Sequence, residues 1–147
     1  MTDRQRRQPG YVVHRRAFRE TSYLADILTP DFGRLACVFR GARKKQGASL
    51  EPFIRYGLAW HGKGQMVTVT SYDAEIEHSL RDRYLYAGLY LNELIVRALP
   101  VEVSAQPLFV AYDDAIAGLA RRDPLEPLLR TFERILLRES GYELLFN

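Results

Sequence analysis

The spacing of apolar residues changes once along this chain, and that change limits the folds open to it. Up to about residue 76, apolar residues recur at every second position in short runs, the spacing of half-buried β-strands. From about Glu77 they recur every three or four positions, as in amphipathic helices. The sequence therefore predicts an α+β fold, with a β-domain over residues 1–76 and a helical domain over residues 77–147.

Five short strands are predicted in the first domain. They cover residues 11–18, 23–29, 33–40, 53–60 and 66–72. Turn residues separate them, and a long basic insertion lies between the third and fourth strands. Five strands with such an insertion are typical of an OB-fold β-barrel, although an SH3-like barrel would give much the same pattern.

The third strand separates apolar from cationic side chains. Its apolar positions are Leu35, Cys37 and Phe39. Because side chains alternate along a strand, these three should face the barrel core, and Arg34 and Arg40 should point outward. We expect Arg34 and Arg40 to line one groove together with the basic loop that follows. Contact with a polyanion and protection of a strand edge by charge are both consistent with this pattern.

Charge is unevenly distributed. Residues 1–64 contain 13 Lys/Arg and 5 Asp/Glu, a net charge of +8, whereas residues 65–147 contain 8 and 13, a net charge of −5. A basic front half and an acidic rear half indicate separate partners for each. Of the 21 cations, 18 are arginine, whose planar guanidinium suits phosphate, although a GC-rich genome would also enrich arginine.

The candidate DNA-binding residues are cations of the barrel and its loops. They are Arg15, Arg16, Arg34, Arg40, Arg43, Lys44, Lys45 and Lys63, and Arg55 is a further candidate. Aromatic residues lie between them in the sequence, and one or two could stack on bases, each worth about 1–3 kcal/mol. Since no base-reading helix is predicted, we expect backbone contacts with weak sequence preference.

Nothing in the sequence indicates catalysis, and we predict a protein that is not an enzyme and holds no cofactor or metal. The histidines fall in three different predicted elements, and the neighbouring Asp113 and Asp114 are interpreted as a solvated helix face. Cys37, the single cysteine, excludes an internal disulfide and is predicted to be a buried thiol. With no signal peptide and no run of about 20 apolar residues, we expect a cytoplasmic protein without a membrane partner.

Three helices are predicted in the second domain. The first runs from about Glu77 to Pro100, and the second covers residues 108–120. The third should begin at Asp123 as its N-cap and end at Gly141.

Taken in order, a set of short segments resembles the RecO family of bacterial recombination mediators. The segments are Tyr11-Val12-Val13-His14-Arg15-Arg16, Arg19-Glu20-Thr21-Ser22, Gly33-Arg34-Leu35, Gly41-Ala42-Arg43, Pro52-Phe53, Tyr90-Leu91-Asn92-Glu93-Leu94, Leu108-Phe109, Tyr112, residues 130–137 and Gly141-Tyr142. They cover nearly all of the chain. No single segment is diagnostic, but the ordered set is specific.

The resemblance implies an N-terminal OB domain that binds single- and double-stranded DNA, followed by a helical domain. It also implies strand annealing without nucleotide hydrolysis, with RecR and the single-strand binding protein as partners and RecA loading as an indirect outcome. Family members continue past the Gly141-Tyr142 segment, often with a zinc-binding cysteine cluster. We therefore expect a shortened form with an incomplete helical domain.

Two other functions fit the residues alone. One is an OB-type RNA-binding protein of the translation machinery, which would use the same basic barrel. The other is a protein-interaction module that works through the acidic helices, with the barrel as a scaffold.

Overall fold

Five strands and then three helices make up the fold, in a computed structural model that describes residues 7–44, 50–63, 66–100 and 104–141. The strands are β1 (Gln8–Phe18), β2 (Ser22–Thr29), β3 (Gly33–Phe39), β4 (Ile54–His61) and β5 (Met66–Glu77). The helices are α1 (Arg83–Ala98), α2 (Gln106–Ala120) and α3 (Leu125–Ser140). All five predicted strands and all three predicted helices are confirmed.

The five strands close into a barrel in the order β1-β2-β3-β5-β4. Neighbouring strands are antiparallel except β3 and β5, which pair in parallel through residues 36–38 and 66–68. β1 closes the barrel by pairing with β4. This is a five-stranded OB-type barrel, so the predicted α+β class, an OB-fold barrel followed by a helical bundle, is confirmed.

The barrel interior is filled by alternate side chains of all five strands. Leu35, Cys37 and Phe39 belong to this core, each at most 5% exposed, as the alternation predicted. Burial raises the pKa of the Cys37 thiol well above its ordinary value. Cys37 is therefore a packing residue, because thiolate chemistry requires the opposite shift.

A β-bulge at Val13 divides β1 into two segments. The side chains of both segments alternate between the two faces of the strand, but the alternation is reversed from one segment to the other. The pairing with β2 shifts between Val12, opposite Ile27, and His14, opposite Asp26. Before the bulge, Val12 points into the barrel core while Tyr11 points outward. An extra residue reverses the alternation that follows it, so Arg16 points outward beyond the bulge.

The helices pack on the outside of the barrel, at the end of β1 and β2 that carries Tyr11, Val13 and Leu28. These three side chains are at most 6% exposed and belong to the same apolar cluster as the inner faces of α1, α2 and α3. Each such buried side chain contributes about 1.5–3 kcal/mol. Gly88 of α1 lies so close to Phe53 that a Cβ there would approach the ring to 2.8 Å.

A polar cluster links the barrel to α2 within this apolar contact. The Tyr11 hydroxyl donates a short hydrogen bond to Asp113, and Arg55 Nη1 lies 2.9 Å from Asp113 Oδ2. His78 Nε2 lies 3.3 Å from the Tyr11 hydroxyl. Burial, together with the hydrogen bond to Asp113, raises the pKa of Tyr11 far above its ordinary value. The prediction that Asp113 belongs to a solvated face is therefore wrong, whereas Asp114 is exposed.

Two predicted helix starts are also wrong. β5 continues to Glu77, which pairs with Ile54, and α1 begins only at Arg83. Leu80 packs against the helical core from the linker before α1, which explains why its spacing resembled a first helical turn. α3 begins at Leu125 with no side-chain capping bond, and Asp123 instead pairs with Arg121 at 2.9 Å.

The predicted end of α3 is confirmed, because Gly141 adopts the left-handed conformation with φ 85°. No helix in the described part of the chain is long and apolar enough to cross a membrane. The expectation of an incomplete helical domain concerns residues 142–147, which lie outside the described residues.

We predict that Asp113→Ala lowers the free energy of unfolding by about 1–3 kcal/mol, because Tyr11 and Arg55 lose their shared acceptor. The matched control is Asp114→Ala, which removes the same charge from the neighbouring exposed position and should change stability by less than about 0.5 kcal/mol. Urea unfolding of both variants provides the measurement. Equal destabilisation by the two substitutions would contradict the assigned role of Asp113.

The position of His78 predicts a pH dependence of stability. Burial, opposed by Asp113 and aided by Arg55, lowers the pKa of His78, so the folded state binds this proton less readily than the unfolded state. The stability that neutral His78 contributes is therefore fully present above the ordinary histidine pKa. It is lost as the pH falls from about 6.5 towards the lowered pKa of His78. The free energy of unfolding at pH 7.5 and 5.5 should show a smaller decrease in His78→Gln. The exposed His61→Gln variant should behave as the unmodified chain does.

Candidate nucleic-acid interface on the barrel

The outer face of the barrel is open at the end opposite the helices. Here Arg16 of β1 lies opposite Leu24 of β2, Leu24 lies opposite Val38 of β3, and Val38 lies beside Thr68 of β5. In this row of paired residues, the cation Arg16 lies next to two apolar side chains, Leu24 and Val38. Arg16 is exposed and Leu24 and Thr68 are half-buried, whereas Val38 is only 8% exposed.

A cavity of about 550 Å³ lies along this open face, and we call it the barrel groove. It is lined by Phe18, Arg19, Thr21, Ser22, Val38, Arg40, Gly41, Met66 and Thr68. The lining contains two guanidinium groups and no carboxylate. Met66 is 46% exposed, so one apolar side chain reaches the solvent among lining groups that are mostly polar.

Backbone hydrogen bonds hold the two loops at the edge of the barrel groove together. The Arg43 N–H donates to the Thr21 carbonyl at 2.9 Å, and the Gly41 N–H donates to Ser22 Oγ at 3.3 Å. The Arg43 guanidinium also donates to the carbonyl of Arg19 at 3.1 Å. The turn between β1 and β2 and the basic loop after β3 therefore form a single edge.

Arg19 and Arg40 provide the positive charge of this edge. Arg19 packs over the ring of Phe18 at 5.0 Å and adopts a left-handed backbone conformation with φ 56°. Arg40 is exposed, and within the described part of the chain no carboxylate lies within ion-pair distance of it. A half-buried aromatic ring beside cations is the arrangement that binds bases by stacking and phosphates by charge.

The structure separates the neighbouring candidates Arg15 and Arg16. Arg16 is exposed on the open face. Arg15, turned the other way by the bulge, packs over the Tyr23 ring at 4.6 Å and lies 4.0 Å from Glu51. It lines a different cleft, of about 580 Å³, between β1 and α1.

Arg34 does not line the barrel groove, so the expectation that it shares one groove with Arg40 is wrong. Its Nε donates to the carbonyl of Leu99 at 2.9 Å, and its Nη1 lies 3.2 Å from Asp26 Oδ1. The side chain is only 16% exposed. Arg34 lies opposite Leu28, in the part of β3 that the helical domain covers.

The remaining candidates are distributed around the barrel. Arg43 and Lys44 are exposed at the edge of the basic loop, and Lys63 is exposed between β4 and β5. Lys45 lies outside the described residues. Arg55 is paired with Asp113 and belongs to the contact between barrel and helices.

Several residues of the barrel groove were not among the predicted cations. Arg19 lies in a turn, and Met66 and Thr68 come from a strand far along the chain. The sequence signal for Arg19 was its position next to the aromatic Phe18. No signal in the sequence indicated Met66, because the parallel pairing of β3 with β5 is not readable from spacing.

The described part of the chain contains no group of three or more His, Cys, Asp or Glu side chains that could hold a metal ion. The three histidines lie on β1, at the end of β4 and in the linker after β5. The barrel groove therefore offers cations, hydroxyls and apolar surface as its chemical groups.

Together, the closed barrel, the helices on its outer face and the basic open edge define an OB-barrel protein with a helical domain attached. The family profile described as Recombination protein O N terminal matches residues 1–76, and that described as Recombination protein O C terminal matches residues 81–147. The chain therefore belongs to the RecO family.

Individual relatives give the same assignment. The DNA repair protein RecO of Cellvibrio japonicus is 43% identical over 143 residues, which cover 95% of this chain and 61% of the relative. That of Pseudomonas aeruginosa strain UCBPP-PA14 is 45% identical over 136 residues, covering 92% and 58%. That of Pseudomonas entomophila is 46% identical over 136 residues, covering 92% and 60%. The chain thus spans about three fifths of the length of these relatives.

Arg34 and Arg40 were both predicted to point outward, but their contacts in the structure predict different effects of the two residues on stability. Arg34→Ala should lower the free energy of unfolding by about 1–3 kcal/mol, because the Leu99 carbonyl and Asp26 lose their donor. Arg40→Ala should change it by less than about 0.5 kcal/mol. Thermal and urea unfolding of the two variants test this difference, which an unchanged Arg34→Ala protein would disprove.

Proposed function

We propose that this chain binds DNA strands along the barrel groove and acts in recombination and DNA repair. It binds single- and double-stranded DNA with little sequence preference. The proposal is supported by membership of the RecO family and by relatives that are named DNA repair proteins.

The observation that carries the proposal is the composition of the barrel groove. Two guanidinium groups, from Arg19 and Arg40, line the cavity together with hydroxyl groups and the side chains of Phe18 and Met66, and no carboxylate lines it. Arg16 extends the positive edge along the same outer face. Phosphates would lie against the guanidinium groups, while a base could stack on Phe18.

Both forms of DNA can use this surface for different reasons. An unpaired strand presents base faces to Phe18 and Met66 as well as phosphates to the cations. A duplex presents only its backbone to an exposed surface of this kind, so its binding depends on charge alone. We therefore expect the single strand to gain more than the duplex from contact with Phe18 and Met66.

Strand annealing and assistance to RecA loading form the further part of the proposal. They would take place without nucleotide hydrolysis, with RecR and the single-strand binding protein as partners. Support for these activities comes from family membership alone, and the chain spans only about three fifths of its relatives. These are activities of a whole RecO protein. We propose them for this chain and expect it to act in the cytoplasm.

The affinity for DNA should fall steeply as salt rises. Binding that releases about four to six counterions gives a slope of log K against log salt of roughly −3 to −5. Fluorescence anisotropy with a labelled single strand and a labelled duplex at several salt concentrations provides the measurement. An affinity independent of salt would contradict the proposal and favour an interaction module that works through the acidic helices.

Arg40→Glu should weaken DNA binding and make the salt slope shallower, with thermal stability unchanged. The matched control is Arg134→Glu, which makes the same charge change at an exposed position of α3. Competition with a structured RNA of equal length separates the RNA-binding alternative. RNA that displaces DNA at much lower concentration would make RNA the preferred ligand.

A further inference from the structure

A second basic site lies in the half of the chain that carries net negative charge. A small cavity of about 200 Å³ is lined by Ser79, Arg81, Leu119, Ala120 and Arg122. We call it the junction pocket, because it lies between the linker that follows β5 and the end of α2. Its lining contains a hydroxyl and two arginines, and no carboxylate.

The charges around the junction pocket do not cancel. Arg122 lies 3.6 Å from Asp82, and Arg121 lies 2.9 Å from Asp123. In the described part of the chain, Arg81 and Arg83 have no carboxylate within ion-pair distance. Cations after the end of α2 stabilise its C-terminus, which accounts for Arg121 and Arg122 but leaves Arg81 and Arg83 unexplained.

Tyr84 holds two of these arginines in place. The guanidinium of Arg83 lies 5.2 Å from the centre of the Tyr84 ring, and that of Arg122 lies 4.7 Å from it. Arg83 Nη2 donates to the Tyr84 hydroxyl at 3.3 Å, and this hydroxyl donates to the Arg122 carbonyl, also at 3.3 Å. Tyr84 is only 4% exposed. Tyr84 therefore fixes the position of Arg122, which lines the junction pocket together with Arg81.

The junction pocket and the barrel groove are far apart on the surface of the protein. Met66, at the start of β5, lines the groove, whereas Ser79 follows the other end of the same strand. β5 contains 12 residues, which correspond to a contour length of about 36 Å. The junction pocket therefore lies beyond one end of β5, and the barrel groove lies at the other end of this strand.

We propose that the junction pocket binds a phosphate group of a nucleic-acid strand, as a second contact in addition to the barrel groove. The inference rests on the proposed function of the groove, because a nucleic-acid strand that extends from the groove would supply the phosphate. Ser79 and Arg81 would hold the phosphate together with Arg122. One chain could then contact a single strand at two places or hold two strands.

The test uses the full chain and its affinity for a labelled single-stranded oligonucleotide. Arg81→Ala should weaken binding about two- to fivefold and reduce the salt slope by about 0.7, the contribution of one phosphate contact. Arg134→Ala serves as the matched control and should leave both quantities unchanged. Because distant sites act independently, the double variant Arg40→Ala/Arg81→Ala should show the product of the two single effects.

The outcomes separate the two proposals. If binding depends on salt and on Arg40 while Arg81→Ala behaves like Arg134→Ala, the junction pocket is not a contact and only this inference fails. If the unmodified chain binds DNA independently of salt, the proposed function itself fails. Thermal unfolding of Arg81→Ala confirms folding, and Arg81→Lys should restore most of the affinity by keeping the charge.

The source of the phosphate is tested by backbone amide resonances of Ser79 and Arg122. The oligonucleotide should shift both resonances in the unmodified chain, and inorganic phosphate at high concentration should compete. Shifts caused by inorganic phosphate but not by the oligonucleotide would overturn the assignment to nucleic acid.

Discussion

Burial of Tyr11, Val13 and Leu28 beneath the helices is the contact on which the rest of the structure depends. These side chains lie on the outside of the barrel, so the apolar faces of α1, α2 and α3 must cover that end of β1 and β2. The same face is left open at its other end, where Arg16, Val38 and Arg40 lie. The position of the groove is thus set by where the helices stop.

The polar cluster around Asp113 makes this packing specific. Apolar contact alone would allow the helices to slide over the barrel, since it has little directional preference. The hydrogen bond from Tyr11 and the ion pair with Arg55 both end on one carboxylate of α2, and both are buried enough to be costly to break. At the other side of the contact, Arg34 joins β3 to the carbonyl that follows α1.

The bulge at Val13 decides which of two adjacent arginines can reach a ligand at the groove. Without the extra residue, Arg15 would point outward and Arg16 would point inward, because a one-residue shift reverses every side chain after it. With it, Arg15 packs against Tyr23, and Arg16 joins the open face. The net charge of each half of the sequence also fails to locate individual basic sites, since an arginine cluster lies within the acidic half.

The sequence alone determined the fold class, the five strands, the three helices and the inward face of β3, because apolar spacing reflects local backbone geometry directly. It also identified the family. Only the tertiary structure decided the roles of individual polar residues. Arg34 and Asp113 are exposed in the local pattern, but the helical domain covers Arg34, and the barrel covers Asp113 of α2. The groove itself required the parallel pairing of β3 with β5, which joins residues about 30 positions apart. Local spacing carries no information on such contacts, since they depend on how separate elements pack.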